Sequence, residues 1–119
     1  MQNWEDFWLN EGFTVFIERH VDAQLWDVNT AMTNAFIGNY SLSREVNIIG
    51  SNIPITYRSM HPVLAGDNPD NSFSIIPFEK GFQLLQYIED SVVGYNIMED
   101  FITYYIENNY LQSITRFDM

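Results

Sequence analysis

The feature that most constrains this chain is a run of apolar residues with helical spacing near its start. From residue 10 onward the apolar positions recur at steps of three and four residues, which is the spacing of one helix face: Phe13, Phe16, Ile17, Val21 and Leu25. Asn10 is a suitable N-cap, and Glu11 in the first turn suits the helix dipole. The pattern therefore predicts an amphipathic helix over residues 10–25, with an apolar face that needs a packing partner.

The next segment indicates further helix. A second helix is predicted over residues 28–37, ending at the Gly-Asn pair of residues 38–39, because glycine and asparagine commonly follow a helix C-terminus. Ser41 is a candidate N-cap for a third helix. The apolar run at residues 46–49 also fits a strand, so both alternatives stay open for this segment.

The second half contains a long irregular stretch and then two more predicted helices. Residues 52–72 are rich in Pro, Gly, Asp and Asn, which predicts a loop of the length that often carries function. The clearest helix begins at Pro77, which suits a first turn, and ends near Gly94. Its apolar face is Phe78, Gly81, Phe82, Leu84, Leu85, Ile88 and Val92. A last helix is predicted over residues 96–108.

The final residues contain the spacing of a capping box. Thr115 and Asp118 stand three positions apart, with Asp in place of the usual Glu. Two interpretations are open: a helix that starts where the sequence stops, which would indicate an incomplete chain, or a frayed tail.

Composition excludes several function classes. At 119 residues the chain is at most one domain, and we expect no second domain. Its net charge of −11 repels phosphate backbones and anionic membranes, so nucleic acid is not an expected partner. It lacks cysteine, a signal peptide and an apolar run of about 20 residues, so we expect no membrane insertion. We expect an intracellular, cytoplasmic protein, with an organelle left open.

The chain alone does not provide the ligands of a catalytic zinc site. Such a site generally needs three protein ligands, and neither of the two histidines, His20 and His61, has a partner at helical i, i+4 spacing. We interpret both as surface or packed histidines. The adjacent carboxylates Glu89-Asp90 and Glu99-Asp100 diverge by about 100° on a helix, so we interpret them as solvated faces.

Two segments nevertheless resemble a metallopeptidase family. The Trp-Leu-Asn-Glu-Gly segment of residues 8–12 and the Pro-Phe-Glu-Lys-Gly segment of residues 77–81 resemble two blocks of the gluzincin aminopeptidases. The Glu-Arg-His of residues 18–20 and the His-Pro of residues 61–62 are similar to the leukotriene A(4) hydrolase branch. The resemblance implies a mainly α fold with one long irregular loop. Residues 1–119 would form the helical later part of a thermolysin-like catalytic domain.

The resemblance assigns roles to five residues. Glu11 matches the third zinc ligand, and Glu18, two turns later, would support the site from the same side of the helix. Asp70 falls near an acidic residue of the substrate pocket. Phe78 stands where the family has a tyrosine that stabilises the developing oxyanion, and Phe73 replaces a pocket tyrosine. No residue of the chain is therefore assigned a catalytic role.

These assignments lead to two hypotheses of equal weight. The chain is a fragment or degenerate copy of a zinc aminopeptidase catalytic domain, inactive alone because it lacks His-Glu-x-x-His and the tyrosine. On this hypothesis zinc is not bound by the chain alone, its partner is the remainder of the peptidase, and a peptide substrate binds only after assembly. Alternatively, it is a pseudoenzyme that acts as a structural subunit of a larger complex. A small binding module unrelated to catalysis ranks well below both.

Overall fold

The fold of the described residues is built from four α-helices. A computed structural model describes residues 3–47 and 54–119. Helix α1 spans Phe7–Leu25, α2 Val28–Asn47, α3 Ile76–Ile88 and α4 Tyr95–Asn108. Short 3-10 turns lie at Trp4–Asp6, Ile55–Tyr57 and Pro69–Ser72, and a π-helical turn at Glu89–Val93 follows α3. These residues contain no strand, so the predicted mainly α class is confirmed.

The centre of the fold is the crossing of α1 and α3. A Cβ atom added to Gly12 would lie 2.7 Å from the Cα of Gly81, and one added to Gly81 would lie 2.6 Å from the Cα of Gly12. Side-chain carbon atoms do not approach a neighbouring backbone this closely. Glycine is therefore required at both positions, because the two helix backbones touch there.

The hydrophobic core surrounds this crossing. It contains large side chains of α1, α3 and α4, with Phe16 and Leu85 fully enclosed: Trp8, Leu9, Phe13, Phe16, Phe82, Leu85 and Met98. The ring of Phe13 stacks on that of Tyr105, with 4.9 Å between centroids, which attaches α4 to α1. The predicted apolar face of α1 is correct at Phe13 and Phe16, whereas Val21 and Leu25 are exposed.

Helix α1 begins earlier than predicted. The side chain of Asn3 accepts a hydrogen bond from the backbone N–H of Asp6 and so caps the turn at Trp4–Asp6. This turn continues directly into the helix at Phe7. The prediction that Asn10 is the N-cap is wrong, because the preceding turn already starts the helix. Instead, the Asn10 carbonyl accepts a hydrogen bond from the Thr14 hydroxyl inside α1, at 2.7 Å.

Helix α2 continues through the predicted stop at residues 38–39. It ends at Asn47, so Ser41 lies inside the helix and is not an N-cap. Gly38 is buried, and an added Cβ atom there would collide with the carboxylate of Glu79. The glycine therefore makes room for a side chain of α3. In the ambiguous run at residues 46–49, positions 46–47 are helical and 48–49 lie outside the described residues.

The second half follows the prediction with smaller differences. Helix α3 ends at Ile88, and the π-helical turn carries the chain to Gly94, whose φ of 83° is readily available only to glycine. Residues 54–75 are irregular apart from the two short 3-10 turns, while residues 52–53 lie outside the description. Within residues 3–47 and 54–119, no helix is both long and apolar enough to span a bilayer.

Of the predicted capping box at the end of the chain, the hydrogen bonds to the Asp118 side chain are present, but the helix is not. Both the backbone N–H and the hydroxyl of Thr115 donate to Asp118 Oδ2, at 2.8 Å and 2.9 Å. The residues between them form a turn and not a helix. The hydrogen bonds hold the pKa of Asp118 below its usual value, because they stabilise the carboxylate.

Candidate functional site

Glu11 and Glu18 lie on one side of α1. Glu11 is half-buried, and its Oε1 accepts a hydrogen bond from Asn10 Nδ2 at 2.8 Å. Glu18 follows two turns later and is exposed. The neighbouring Gly12 faces α3, so the contact between the glycines fixes the position of Glu11 relative to that helix. The carboxylate of Glu11 is thus placed beside the α1–α3 crossing.

The two phenylalanines at the tyrosine positions meet in one aromatic cluster, formed by Trp4, Phe7, Phe73 and Phe78. The ring centroids of Phe73 and Phe78 lie 5.9 Å apart at an edge-to-face angle of 79°. Phe7 contacts both rings, at 5.8 Å and 5.6 Å, and stacks on Trp4 at 4.7 Å. Such geometries are favourable for aromatic pairs. The two rings meet although Phe73 precedes α3 in the sequence and Phe78 lies in the first turn of α3.

The aromatic cluster lies on the side of α1 that carries Glu11. Phe7 precedes Glu11 by four residues, and residues at this spacing are neighbours on a helix surface. A carboxylate, two phenylalanines at positions assigned to tyrosines, and the start of α3 therefore share one region. This region is the candidate site.

Asp70 is less closely integrated into the candidate site. It lies in the 3-10 turn Pro69–Ser72 and is exposed. The turn is capped by Asn68, whose side chain accepts a hydrogen bond from the Asp70 backbone N–H at 3.1 Å. The capping role in this loop thus belongs to Asn68. Asp70 stands three residues before Phe73, which is its link to the aromatic cluster.

The described residues do not assemble a zinc site by themselves. No three His, Cys, Asp or Glu side chains among them come close enough to hold a metal ion. A single carboxylate does not fit the requirement of a catalytic zinc for three protein ligands. If Glu11 binds zinc, the other ligands must come from residues outside this set.

His20 is packed, as one of the two interpretations allowed, but its partner was not expected. His20 Nε2 lies 3.1 Å from Glu89 Oε1, and the ring packs on Phe16 with 4.3 Å between centroids. Glu89 is only 7% exposed, so the prediction that it lies on a solvated face is wrong. The π-helical turn that follows α3 carries Glu89 inward, whereas Asp90 is exposed as predicted.

The buried ion pair between Arg19 and Glu79 was not predicted from the sequence. Arg19 donates two hydrogen bonds to the Glu79 carboxylate, at 2.8 Å and 3.0 Å, and a third to the Asn34 carbonyl at 3.3 Å. The Arg19 guanidinium also lies over the Phe82 ring, 4.0 Å from its centroid. This pair joins α1, α2 and α3. The spacing of Glu79 could have predicted that it is buried, because it stands three residues from both Ile76 and Phe82 on the buried face of α3.

One face of α2 is apolar and exposed. Val28, Met32, Phe36 and Tyr40 follow one another at four-residue steps and are each at least 60% exposed; we call them the α2 stripe. Beside Val28 and Met32 lies an open groove of about 360 Å³ between α1, α2 and α3, with Arg19 and Glu89 among its lining residues. Large contiguous apolar patches on folded proteins often lie at interaction surfaces.

Comparison with known proteins assigns a family to this arrangement. The model of the peptidase family M1 domain matches residues 1–119. Leukotriene A-4 hydrolase of Xenopus laevis is 38% identical over 114 residues, which cover 96% of this chain and 18% of the relative. Leucine aminopeptidase 2 of Emericella nidulans is 36% identical over 116 residues, with 98% and 18% covered.

Solved structures agree with the sequence comparison. Native leukotriene A4 hydrolase from Saccharomyces cerevisiae superposes with a TM-score of 0.87 at 30% identity, over 96% of this chain and 18% of that one. The chain therefore spans less than one fifth of the length of the relatives it matches. The fold described above is that of a part of their structure.

Proposed function

The chain belongs to peptidase family M1, and we propose that it forms part of a zinc aminopeptidase catalytic domain of the leukotriene A(4) hydrolase type, as a fragment or degenerate copy. In this proposal it contributes Glu11 as one zinc ligand and is inactive alone. The observation that supports this most is that Glu11 follows Phe7 by one helical turn on α1, and that the Phe7 ring contacts both Phe73 and Phe78.

Other residues would complete the set of zinc ligands. Glu11 offers one carboxylate oxygen ligand, and the described part of the chain gathers no further donors around it. Two histidines from a His-Glu-x-x-His segment, which this sequence lacks, would complete a set of three. Zinc would supply Lewis-acid chemistry at the assembled site. The substrate class follows from the relatives: peptides with a free amino terminus, bound only after assembly.

The partner in this proposal is the remainder of the peptidase. The α2 stripe supports it, because large apolar side chains at four-residue steps need a covering element. The relatives have more than four-fifths of their length outside the matched region, which is sufficient to provide such an element.

One alternative function is favoured by a specific observation. Phe78 and Phe73 both occupy positions where the resemblance implies tyrosines, and both lack a hydroxyl group. Loss of a hydrogen-bond donor to an oxyanion lowers hydrolysis rates by about 10²–10³-fold. A pseudoenzyme that keeps the fold and acts as a structural subunit of a complex would show these replacements.

A chimera tests the proposed function. Residues 1–119 replace the matching segment of the Xenopus laevis leukotriene A-4 hydrolase, and zinc is measured by mass spectrometry per mole of folded protein. We expect one zinc per chimera, and loss of that zinc in Glu11→Gln. The matched control is Glu107→Gln, an exposed glutamate of α4 with no role assigned in the site, which should retain zinc.

Two results would contradict the proposal. A Glu11→Gln chimera with full zinc content would show that Glu11 is not a ligand. A folded chimera that binds no zinc with Glu11 intact would favour the pseudoenzyme alternative, because the rest of the ligand set is then present and Glu11 does not complete it.

A further inference from the structure

Glu5, in the turn that precedes α1, contacts the irregular loop at two points. Its carbonyl oxygen lies 2.6 Å from His61 Nδ1, and its Oε1 accepts a hydrogen bond from the Leu64 backbone N–H at 2.9 Å. A hydrogen bond from a backbone N–H to a carboxylate is charge-assisted and is among the stronger hydrogen bonds in proteins. The side chain and the carbonyl group of Glu5 therefore hold this part of the loop against the turn.

A second attachment lies further along the same loop. The Phe73 ring contacts Phe7, with 5.8 Å between centroids, and Phe7 stacks on Trp4 at 4.7 Å. Trp4 and Glu5 belong to one 3-10 turn, so both attachments lead to the same few residues. Residues 64–73, which we call the clamped loop, are thus fixed at both ends to the start of the chain's first helical element.

The backbone of the clamped loop is also held from within. The Asp70 backbone N–H donates a hydrogen bond to the side chain of Asn68 at 3.1 Å, which caps the 3-10 turn Pro69–Ser72. The Tyr57 hydroxyl donates to Asp67 Oδ2 at 2.5 Å. Asp70 is exposed in this turn, between the two fixed ends. The position of its carboxylate therefore follows from the positions of those ends.

Glu5 and Glu11 stand on one continuous helical element. The 3-10 turn that contains Glu5 runs into α1 at Phe7 without a break, and Glu11 follows in the second turn of that helix. A hydrogen-bonded helix has a fixed rise per residue, so the distance between Glu5 and Glu11 is set by the backbone. The residue that holds the clamped loop and the residue assigned to zinc therefore keep a fixed relation.

We propose that Glu5 is a positioning residue, which sets the place of Asp70 relative to Glu11 through the clamped loop. The inference rests on the proposed function, in which a peptide with a free amino terminus binds after assembly. That amino group is a cation, and a carboxylate held at a fixed place near the zinc ligand attracts it. Without the Glu5 carboxylate, Asp70 is spread over more positions and the substrate binds more weakly, while the zinc ligands are unchanged.

Hydrogen exchange in the chimera, measured by mass spectrometry, tests whether Glu5 holds the loop. Glu5→Ala removes the carboxylate, and we expect exchange about tenfold faster or more in the peptide that contains the Leu64 amide, with unchanged rates in α1. Glu5→Gln, whose amide oxygen also accepts a hydrogen bond, should restore most of the protection. Unchanged exchange at Leu64 in Glu5→Ala would overturn the proposal, and so would faster exchange that extends through α1.

Steady-state hydrolysis of an aminoacyl amide tests whether Glu5 acts through Asp70, in a chimera that also carries Phe78→Tyr. We expect Glu5→Ala to raise KM about tenfold and to change kcat by less than about twofold, because substrate binding is weakened and the zinc site is not. Glu107→Ala, at an exposed glutamate of α4, should change neither constant.

The double variant decides between positioning and a separate structural effect. Once Asp70→Asn has removed the charge, the place of the loop no longer matters, so Glu5→Ala with Asp70→Asn should have the KM of Asp70→Asn alone. Effects of the two changes that multiply would overturn the proposal. Zinc content is a separate measurement: a chimera without zinc contradicts the proposed function, whereas exchange at Leu64 that does not respond to Glu5→Ala contradicts this inference alone.

Discussion

At the scale of single residues, Phe78 bears most directly on catalysis. The resemblance assigns a tyrosine to this position, and the Phe78 ring is half-buried against Phe7 and Phe73. We expect Phe78→Tyr to raise the rate of aminoacyl amide hydrolysis in the chimera by about 10²–10³-fold, because it restores a hydrogen-bond donor. Phe7→Tyr is the matched control, since it adds a hydroxyl to the same cluster at a position with no assigned role and should leave the rate unchanged. An equal rate in Phe78→Tyr and the parent chimera would contradict the assignment.

Tyr57 provides a second prediction at this scale. Its hydroxyl donates to Asp67 Oδ2 at 2.5 Å, and this hydrogen bond to the carboxylate raises the pKa of Tyr57 above its ordinary value. The pair therefore stabilises the fold below about pH 10, and this contribution is lost as pH rises through the raised pKa. Asp67→Asn should move one tyrosine transition to lower pH in an absorbance titration at alkaline pH. Superimposable titration curves for the two proteins would contradict the pairing.

The burial and contacts of individual side chains could be predicted from the sequence only in part. The contact between Gly12 and Gly81 and the ring contact between Phe73 and Phe78 were not predicted. Glu89 is interpreted as solvated because adjacent carboxylates on a helix diverge and do not share a site, yet the π-helical turn brings it to His20. Such a change of helical register has no signal in the spacing of apolar residues.

At the scale of helices, the crossing of α1 and α3 depends on two glycines. Gly12→Ala would place a Cβ atom 2.7 Å from the Cα of Gly81, so the helices must move apart. We expect a loss of about 1–3 kcal/mol in the free energy of unfolding, the range for overpacked cores. Urea unfolding measures it. Glu18→Ala, on the exposed side of α1, should change stability by less than about 0.5 kcal/mol. Equal stability of the two variants would contradict the close crossing.

Two helix ends show why residue preferences within one segment are not sufficient to predict where a helix begins or ends. The prediction that α2 stops at residues 38–39 relied on the common role of glycine after helices. Gly38 instead lies inside α2 and faces Glu79, which Arg19 of α1 holds in place. Three helices meet at Gly38, so the role of this glycine cannot be derived from the sequence of one segment. The early start of α1 likewise depends on the Asn3 side chain, which caps a turn that precedes the apolar run.

At the scale of the whole molecule, the α2 stripe predicts self-association of the isolated chain. Because these side chains are exposed and apolar, we expect the chain to be oligomeric or aggregated in size-exclusion chromatography with light scattering. The double variant Met32→Lys, Phe36→Lys should shift it toward monomer. The matched control Tyr110→Lys changes a side chain that is 72% exposed outside the stripe and should leave association unchanged. A monodisperse wild-type monomer would contradict this prediction.

The overall architecture was the most predictable level. Helical spacing identified the segments that form α1, the first part of α2, α3 and α4, and the proline- and glycine-rich stretch marked the irregular connection. The contact of Phe73 and Phe78 with Phe7, one helical turn before Glu11, could not be derived from spacing, since it depends on how α3 and the preceding loop pack against α1. Only the resemblance suggested that these residues share a site.

The most direct test of the account is the crystal structure of the zinc-loaded chimera, with anomalous scattering recorded at the zinc absorption edge. We predict an anomalous peak with a Glu11 carboxylate oxygen at about 2.0–2.2 Å, the usual zinc–oxygen distance. A zinc ion held entirely by other residues, with the Glu11 side chain still paired to Asn10, would contradict it.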